Sequence, residues 1–502
     1  MVDPRTPVVV GVGQVNQRVR PEDARSPVGL FVDAARLAAD DCGVTILPMV
    51  DTVAVAQIGS WGYHDPGALA ARELRIEPRS TVISTVGGDS PQLLVNELGA
   101  SIARGERDVV LLGGGEVLHA RRRARKAGEE LRFEVSADPP CAVVIGDPRP
   151  GTSEAENAHG AFAPVTMYPL LETALRAAAG RTIDEHQHYV GALWSTFAHA
   201  SASNPHAWSR VPYSAADIVD VTPANRMITF PYTKRMNANL DVDQGAALLL
   251  CAHEVARRAG VAEDRMVFLH AGADAADHWF VTERWSLAES EAIGVVTRAA
   301  LTATGIGVDD VARFDLYSCF PSAVQLALGS IGLPGPLRGD DRPITVTGGL
   351  GFAGGPLNNY PTHAIARMVE LLREDAGSFG LTTALGWYAT KHACGIWSTA
   401  PPREGFVRID AATTQAEVDM RPRREPLAIY TGSVTIEATS VPFDRAGNPV
   451  SGIVAALTDD GRRVMANVHD ASAIASMTKE AWEGRRARLV TDGTRNTVED
   501  IG

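Results

Sequence analysis

The sequence contains an internal repeat, and this repeat constrains the fold more than any other feature. Near the start of the chain, apolar and Ala-rich segments predict a strand, a helix and a strand, at residues 7–15, 28–40 and 51–56. About 260 residues later the same order is predicted again, at residues 266–270, 290–304 and 312–317. Strand–helix–strand alternation in two copies predicts two α/β halves with parallel-type sheets, packed face to face.

Each copy continues with a strand that leads into paired glycines and then into a further helix. The strands are predicted at residues 80–85 and 343–347, and the glycine pairs stand at 87–88 and 348–349. In the first copy, Ser90 is predicted to be the N-cap, with Pro91 at the first helical position. In the second copy, the helix is predicted to begin at Pro361.

The repeat divides the chain into predicted regions. These are an N-terminal half at 1–118, an insertion at 119–230 after which the chain returns to the first half at 231–260, a C-terminal half at 261–401, and an all-β region at 402–502. Short strands with Gly and Asn turns are predicted in the last region at 428–435, 436–442, 453–458, 463–468 and 486–490. Five such strands predict a small antiparallel barrel of the OB type.

Length and charge exclude several classes of protein. A chain of 502 residues is too long for one hydrophobic core, so two or three domains are expected. The formal net charge of −13 disfavours a nucleic-acid binder that works by neutralising phosphates. No apolar run reaches the roughly 18 residues of a membrane span, and the first residues do not resemble a secretion signal. We therefore expect a cytoplasmic protein.

Cysteine and histidine spacing gives no metal pattern. The five cysteines are far apart and form no Cys-x-x-Cys pair, which predicts neither a zinc ribbon nor a disulfide framework. His186 and His188 are two residues apart and are interpreted as solvated surface side chains. We expect no metal site.

Three motifs carry a resemblance to a known family. Residues 108–116 form a strand that ends in Gly-Gly-x-Glu, residues 243–247 read Asp-Gln-Gly-Ala-Ala, and a glycine-rich loop covers 348–357. In this order they resemble the thiolase superfamily, and within it the sterol-carrier-protein-type thiolases, over roughly residues 6–400. The resemblance implies a duplicated, five-layered α/β thiolase fold with a loop-domain insertion, an acetyl-CoA acetyltransferase-like acyltransferase of lipid metabolism, no tightly bound cofactor, and CoA or acyl-CoA as ligand.

Two residues that the family chemistry needs are replaced. The resemblance places Gly88 at the position of the nucleophilic Cys, and it places Gly355, after Gly354, at the position of the activating His. A glycine cannot carry an acyl group, so ordinary thiolase turnover is expected to be weak or absent. Ser90 is an alternative nucleophile, although its interpretation as the helix cap is favoured.

The third and fourth loops supply further candidates. The third reads Tyr317-Ser318-Cys319-Phe320, in which Cys319 resembles a catalytic acid/base of the sterol-carrier type, with a small buried hydrophobe as the alternative. In the fourth, His392 matches a family His, and Cys394 stands one place after the family Cys. Some thiolase-fold retro-aldolases of β-hydroxyacyl-CoA lack the nucleophile and carry Tyr in the third loop. Tyr317 and Tyr360 therefore suggest that reaction as an alternative, although a structural role for both tyrosines is favoured.

The basic run at residues 121–126 begins where the family has its CoA-covering insertion. Arg121 and Arg122 are candidates for binding CoA phosphates, and a solvated helix face is the alternative interpretation. A G-x-G-x-x-G match at 349–354 is disfavoured as a dinucleotide site because its helix begins too late. A third functional alternative is a non-catalytic acyl-CoA carrier or sensor whose barrel contacts a protein partner. No nucleic-acid partner is expected, and dimerisation is left open.

Overall fold

The computed structural model describes residues 2–135, 139–141, 143–335 and 342–501. The helices are α1 (Pro27–Cys42), α2 (Pro66–Leu74), α3 (Ser90–Ala103), α4 (Leu118–Ala127), α5 (Glu154–Ala158), α6 (Pro164–Ala178), α7 (Ile183–Ser203), α8 (Ala215–Val219), α9 (His253–Ala259), α10 (Glu291–Thr304), α11 (Pro321–Ile331), α12 (Gly349–Phe352), α13 (Tyr360–Glu374), α14 (Ala411–Asp419) and α15 (Ala471–Met477). The strands are β1 (Pro7–Asn16), β2 (Thr52–Val55), β3 (Ser80–Ser84), β4 (Val109–Val117), β5 (Val143–Ile145), β6 (Met227–Phe230), β7 (Tyr232–Thr233), β8 (Asp243–Ala252), β9 (Val267–Ala276), β10 (Val311–Asp315), β11 (Phe379–Gly386), β12 (Lys391–Ser398), β13 (Val407–Arg408), β14 (Pro426–Leu427), β15 (Gly432–Pro442), β16 (Gly452–Thr458), β17 (Arg463–Val468), β18 (Arg486–Thr491) and β19 (Asn496–Ile501).

The predicted duplication is confirmed by the order of the strands. In the first half the order across the sheet is β3-β2-β4-β8-β1, and in the second half it is β10-β11-β12-β9. The two halves adjoin where β1 pairs with β9. Residues 343–347 run beside β10 at the position that β3 takes in the first half, since the backbone N–H groups of Phe314 and Leu316 donate to Pro343 and Ile344.

The prediction of a regular strand at 343–347 was wrong. The backbone N–H groups of Val346 and Thr347 donate to a carboxylate oxygen of Asp315, at 2.9 and 3.1 Å, instead of extending the strand ladder. Side chains of this type compete with regular secondary structure for backbone donors. The segment therefore crosses the sheet edge as an irregular turn that leads to Gly348 and Gly349.

Helices α3 and α13 form the middle layer, because each packs against strands of both halves, while α1 and α10 cover the outer faces of the two sheets. The five-layered thiolase arrangement is therefore confirmed. The prediction that Ser90 caps α3 was wrong by one position. Asp89 precedes the helix without a side-chain cap bond, and the Ser90 hydroxyl donates instead to the carbonyl oxygen of Thr85 at 2.8 Å.

The insertion is mostly helical and contributes buried side chains. The interpretation of His186 as a surface residue was wrong, because its side chain is 2% exposed and its Nε2 lies 2.5 Å from Glu172 Oε1 on α6. The same carboxylate accepts hydrogen bonds from Tyr232 and Gln325, both at 2.5 Å. This buried network joins α6 and α7 to α11 of the second half.

The C-terminal strands close a five-stranded barrel in the order β15-β16-β17-β19-β18-β15, with β17 and β19 parallel and α15 between β17 and β18. This is the OB-type arrangement that the sequence predicts. Two of the predicted strands, 428–435 and 436–442, are replaced by the single strand β15, which has a bulge between Ile436 and Ala438. The strand β19 was missed because its partly exposed, charged sequence lacks clear alternation.

The barrel is docked firmly on the rest of the chain. Arg463 is fully buried, pairs with Glu437 at 2.7 Å, and donates to backbone carbonyl oxygens of the 281–285 segment. Thr173 on α6 exchanges two hydrogen bonds with the backbone of Thr439, at 2.9 and 3.0 Å. Within the described ranges, no helix has the length and apolar character needed to cross a membrane.

Candidate functional site

Gly88 lies at the end of the loop between β3 and α3, where the hydroxyl of Tyr317 fills the space that a side chain would need. A Cβ built on Gly88 would lie 2.1 Å from Tyr317 Oη and 2.6 Å from the carbonyl oxygen of Leu385. Both distances are far below van der Waals contact. The loop therefore accepts glycine alone at this position unless both Tyr317 and the backbone at Leu385 move.

The Tyr317 hydroxyl is a hydrogen-bond donor to which no described residue offers an acceptor. Its side chain is 7% exposed, and its Oη has no hydrogen-bond partner among the residues that the structure describes. Burial raises the pKa of Tyr317 well above its usual value, and the nearby Cys319 and Asp89 add to this effect. The phenol is therefore protonated at neutral pH, so it can donate to a ligand but cannot act as a base.

Tyr360 supports Tyr317 from the side. The two rings meet edge to face with centroids 5.5 Å apart. The Tyr360 hydroxyl donates to Asp315 at 3.0 Å and lies 2.6 Å from the Thr347 hydroxyl. Because burial and the charge of Asp315 also raise the pKa of Tyr360, its hydroxyl holds the loops together as a neutral phenol.

Cys319 and Phe320 lie in the same loop, against Tyr168 of the insertion. Phe320 stacks on Tyr168 with ring centroids 4.5 Å apart. Burial raises the pKa of Cys319 to about 12, so the thiol stays protonated. The Tyr168 hydroxyl donates to the carbonyl oxygen of Trp387 at 2.9 Å, which fixes the turn between β11 and β12.

The glycine-rich loop adjoins the loop that carries Gly88. A Cβ on Gly354 would lie 2.1 Å from Gln244 Oε1, and one on Gly355 would lie 3.2 Å from the carbonyl oxygen of Asn239. Asn358 joins this loop to the Gly88 loop, because its Oδ1 accepts from the backbone N–H of Gly87 at 2.9 Å. Sequence reasoning missed Asn358, for which no motif gave a signal.

The basic run forms one wall of an open cleft of about 670 Å³, which we call the arginine cleft. Its lining comprises Trp61, Leu118, Arg121, Arg122, Ala124, Arg125, Glu129, Glu130, Leu131, Leu240 and Asp241. Arg122 is paired with Asp241, whereas Arg121 and Arg125 have no ion pair with any described carboxylate. The guanidinium of Arg121 lies 5.9 Å from the ring centroid of Trp61, a residue that sequence reasoning also missed.

Glu116 fixes the wall of the cleft that carries Trp61. Its two carboxylate oxygens accept from the backbone N–H groups of Gly59 and Ser60, both at 2.7 Å. Burial raises the pKa of Glu116 to about 7 against these hydrogen bonds. The Gly-Gly-x-Glu motif thus supports the cleft through its final residue.

His392 and Cys394 lie on the face of β12 that packs against α10, away from Gly88. Cys394 Sγ donates to the carbonyl oxygen of Val296 on α10. His392 Nε2 lies 3.4 Å from Asp277 Oδ2 and 3.4 Å from Ser290 Oγ. Ser290 donates its own proton to Asp277 at 2.5 Å, so this group does not form a Ser-His-Asp triad with a free nucleophile.

Of the predicted site residues, the structure brings Gly88, Ser90, Tyr317, Cys319, Phe320 and Tyr360 to one place, with Gly354 and Gly355 in the adjoining loop. Arg121 and Arg122 lie in the arginine cleft, and His392 and Cys394 lie elsewhere. Sequence reasoning also missed a buried pair behind Gly88, in which Lys391 Nζ lies 3.2 Å from Asp89 Oδ1. The signal was available, since Lys391 is one of only four lysines in the sequence.

The five layers, the duplicated strand order and the glycine loops define a protein of the thiolase fold. A family model for the thiolase-like protein type 1 additional C-terminal domain matches residues 413–494. The monomeric SCP2-thiolase-like protein type 1 from Mycobacterium smegmatis is 33% identical, with a TM-score of 0.85 over 99% of each chain. The chain belongs to the SCP2-thiolase-like protein type 1 family.

More distant structures share the fold alone. An Ltp2–ChsH2(DUF35) aldolase is 18% identical, with a TM-score of 0.61, and the match covers 80% of this chain and 99% of that one. Human mitochondrial 3-ketoacyl-CoA thiolase in complex with CoA is 16% identical, with a TM-score of 0.55, and the match covers 80% of this chain and 100% of that one. A search of curated proteins gave no match.

Proposed function

We propose that this protein binds a CoA thioester without forming an acyl-enzyme. In this proposal the nucleotide part of CoA lies in the arginine cleft and the thioester lies beside Tyr317. The observation that carries it is the position of the Tyr317 hydroxyl, which fills the space of the side chain that would accept an acyl group. A CoA thioester could then bind along this path, but it would meet no nucleophile at residue 88.

The path from the cleft to the thioester is supported by a chain of contacts. Leu240 lines the arginine cleft and lies next to Gly355, 3.3 Å from the position of its Cβ. Three residues further along the same loop, Asn358 binds Gly87. The cleft therefore adjoins the glycine-rich loop, which in turn adjoins the loop that carries Gly88. Arg121 and Arg125 supply unpaired positive charge for phosphates at the outer end.

The groups around Gly88 favour binding over chemistry. The pKa values of Tyr317, Tyr360 and Cys319 are all raised, so each of these groups carries its proton at neutral pH. Such a site offers Tyr317 Oη as a donor to the thioester carbonyl oxygen. It offers none of these three residues as the base that proton abstraction from an acyl group requires.

A retro-aldolase remains the second candidate, and the position of Tyr317 favours it. In this reaction a base takes the β-hydroxyl proton, the Cα–Cβ bond of a β-hydroxyacyl thioester breaks, and a carbonyl compound leaves. The thioester enolate that remains is stabilised at its oxygen and takes a proton at Cα. Tyr317 suits the stabilising role because it is a protonated donor, while the base would have to come from outside the Tyr317, Tyr360 and Cys319 group.

Calorimetric titration with CoA and acetyl-CoA tests the proposal. We expect saturable binding of both, weakened about tenfold or more in the double variant Arg121→Ala/Arg125→Ala, because two charge-assisted contacts are lost. Arg123→Ala is the matched control, since Arg123 is on the same helix but does not line the cleft, and its side chain donates to the carbonyl oxygen of Val19. Absence of CoA binding by the unmodified protein would refute the proposal.

Activity assays separate the candidates. Cleavage of acetoacetyl-CoA in the presence of free CoA, at a rate above background, would contradict the claim that no acyl-enzyme forms. Cleavage of a β-hydroxyacyl-CoA that is lost in Tyr317→Phe would favour the retro-aldolase. Binding without either reaction is the result expected of a carrier or sensor.

A further inference from the structure

A buried ion pair lies behind the Gly88 loop and takes no part in the binding proposed above. Lys391, at the start of β12, and Asp89, directly before α3, have side chains that are 7% and 6% exposed, with 3.2 Å between Nζ and Oδ1. Burying two charges costs free energy that their mutual attraction often only partly returns. Stability alone therefore explains the pair poorly, and its contacts indicate a different role.

Lys391 binds the Gly88 loop on both sides of the two glycines. Its ammonium donates to the carbonyl oxygen of Val86 at 2.7 Å, and its ion-pair partner Asp89 directly follows Gly88 in the chain. β12 belongs to the second half of the fold, whereas residues 86–89 belong to the first. One side chain of the second half thus fixes the first half just before Gly87 and just after Gly88.

The backbone is packed closely around this pair. A Cβ on Gly87 would lie 2.6 Å from Lys391 Nζ, and one on Gly386 would lie 2.8 Å from Lys391 Cε. Either Cβ would also lie 2.0 Å from Asp89 Oδ1. Two backbone segments, the Gly88 loop and the end of β11, therefore rest directly on the same two side chains.

These two segments meet at the Cβ position of Gly88. Gly386 directly follows Leu385, whose carbonyl oxygen lies 2.6 Å from that position, and the Tyr317 hydroxyl lies there as well. A displacement of the ion pair would move Gly88 and Leu385 relative to the Tyr317 hydroxyl. Because a displacement of about 1 Å is enough to weaken a positioned contact strongly, the pair sets the geometry of this place.

Asn358 gives the loop a second attachment that does not depend on Lys391. Its Oδ1 accepts from the backbone N–H of Gly87 at 2.9 Å, and its Nδ2 donates to the carbonyl oxygen of Gln57 at 2.7 Å. A variant without the Lys391 ammonium therefore keeps this attachment. We expect such a variant to fold with a displaced Gly88 loop.

We propose that Lys391 is a positioning residue of the thioester site, which holds the Gly88 loop where the Tyr317 hydroxyl can meet the thioester carbonyl oxygen. This role depends on the proposed binding of a CoA thioester beside Tyr317. Lys391 touches no ligand and acts through the backbone of residues 86–89. Its removal therefore affects the thioester end of the ligand and leaves the nucleotide end in the arginine cleft unchanged.

Calorimetric titration of Lys391→Ala with acetyl-CoA and with CoA separates this role from a general loss of structure. The two ligands differ only in the acetyl group, whose carbonyl oxygen is the acceptor for Tyr317. We expect the unmodified protein to bind acetyl-CoA about fivefold more tightly than CoA, and Lys391→Ala to lose this preference while its affinity for CoA stays the same. Lys479→Ala, which removes an exposed lysine of the barrel, is the matched control and is expected to keep the preference.

A cavity beside the pair allows chemical rescue. Lys391 and Asp89 both line a cavity of about 540 Å³, so shortening Lys391 to alanine extends this space toward Val86. Propylammonium supplies the carbons and the ammonium group that Lys391→Ala lacks, and it is expected to restore the preference for acetyl-CoA. 1-Propanol has a similar size without the charge and is expected not to restore it.

A second readout needs no ligand. Protein made with 3-fluorotyrosine gives a ¹⁹F NMR resonance for Tyr317, which is assigned through Tyr317→Phe. We expect this resonance to shift in Lys391→Ala and in Lys391→Met, which keeps the length of the side chain without its charge, while the resonance of Tyr430 in the barrel stays in place. Circular dichroism confirms that the variants are folded.

An unchanged Tyr317 resonance in both variants would overturn the proposal, whether or not CoA binds. Equal weakening of CoA and acetyl-CoA binding in Lys391→Ala would also overturn it, because the effect would then be a general loss of structure. Rescue by 1-propanol as complete as rescue by propylammonium would show that Lys391 only fills space. If the unmodified protein binds neither ligand, the proposed function fails, and the Tyr317 resonance alone decides whether Lys391 positions the loop.

Discussion

The hydroxyl oxygen of Tyr317 lies 2.1 Å from the position that a Cβ on Gly88 would occupy. The two residues come from different halves of the duplicated fold, on the loops that follow β3 and β10. The absence of a side chain at residue 88 therefore leaves the room that the Tyr317 hydroxyl occupies. A side chain added at residue 88 would displace this hydroxyl.

This relationship predicts the outcome of placing a cysteine at residue 88. Gly88→Cys is expected to lower the free energy of unfolding by about 1–3 kcal/mol, because the new side chain overlaps Tyr317 and the Leu385 carbonyl. It is also expected to gain no thiolytic activity, measured as CoA-dependent cleavage of acetoacetyl-CoA. Gly329→Ala is the control, since a Cβ there meets no atom within 4 Å. A Gly88→Cys variant as stable as the unmodified protein would contradict the overlap.

The buried Arg463 should be essential for holding the barrel in place. Arg463→Ala is expected to cost about 3–5 kcal/mol of unfolding free energy, because it leaves Glu437 and several backbone carbonyls without their donor. Arg488→Ala, which removes a solvent-exposed pair with Glu499 on the same barrel, is expected to change stability little. Denaturant unfolding of the two variants measures the difference, and similar losses in both would argue against a special role for Arg463.

Glu116 predicts a specific pH dependence of stability. Burial raises the pKa of Glu116 from its usual 4.5 to about 7, so folding favours the protonated carboxyl. This contribution is fully present below pH 4.5 and is lost as the pH rises through 7. Relative to Glu116→Gln, which does not titrate, the unmodified protein should lose up to about 3 kcal/mol between pH 5 and pH 8. A constant difference between the two proteins across this range would show that the carboxyl is not perturbed.

The strand β5 predicts the oligomeric state. It pairs with β3 through Val82, Ile83 and Ser84 and so covers the outer edge of the first half-sheet with a segment of the same chain. Because β3 has no free edge and the new edge strand β5 is only three residues long, neither strand offers a good surface for pairing with a second copy, and we expect a monomer. Sedimentation velocity over a hundredfold range of concentration checks this, and a mass that rises to that of a dimer would refute it.

The sequence predicts most of the framework because its signals are local. Both copies of the repeat, the glycine pairs and the barrel class follow from apolar periodicity and turn residues. Local patterns did not predict the irregular segment at 343–347, since the competing acceptor is the side chain of Asp315 on another element. They also failed for His186, whose burial depends on Glu172, fourteen residues earlier on a different helix.

The loops that form the candidate site were predictable from the sequence, but the positions of their side chains relative to one another were not. The family resemblance predicted that Gly88 and Gly355 stand at replaced positions, yet it could not show that the Tyr317 hydroxyl fills the space beside Gly88, because that depends on how the two halves pack. One distinction was available from the sequence. Side chains alternate along a strand, so Lys391, which faces Asp89, and its neighbour His392 had to point to opposite sides of β12.

The docking of the barrel has a consequence for how the molecule comes apart. Arg463 keeps its acceptors in the 281–285 segment only while both regions are folded and in contact, so separation of the barrel removes these hydrogen bonds. Thr173 and Thr439 add two uncharged hydrogen bonds across the same junction. The chain is therefore expected to unfold in one cooperative transition. A fragment that ends at Pro401 is expected to be less stable than the full chain, because it lacks the hydrogen bonds across this junction.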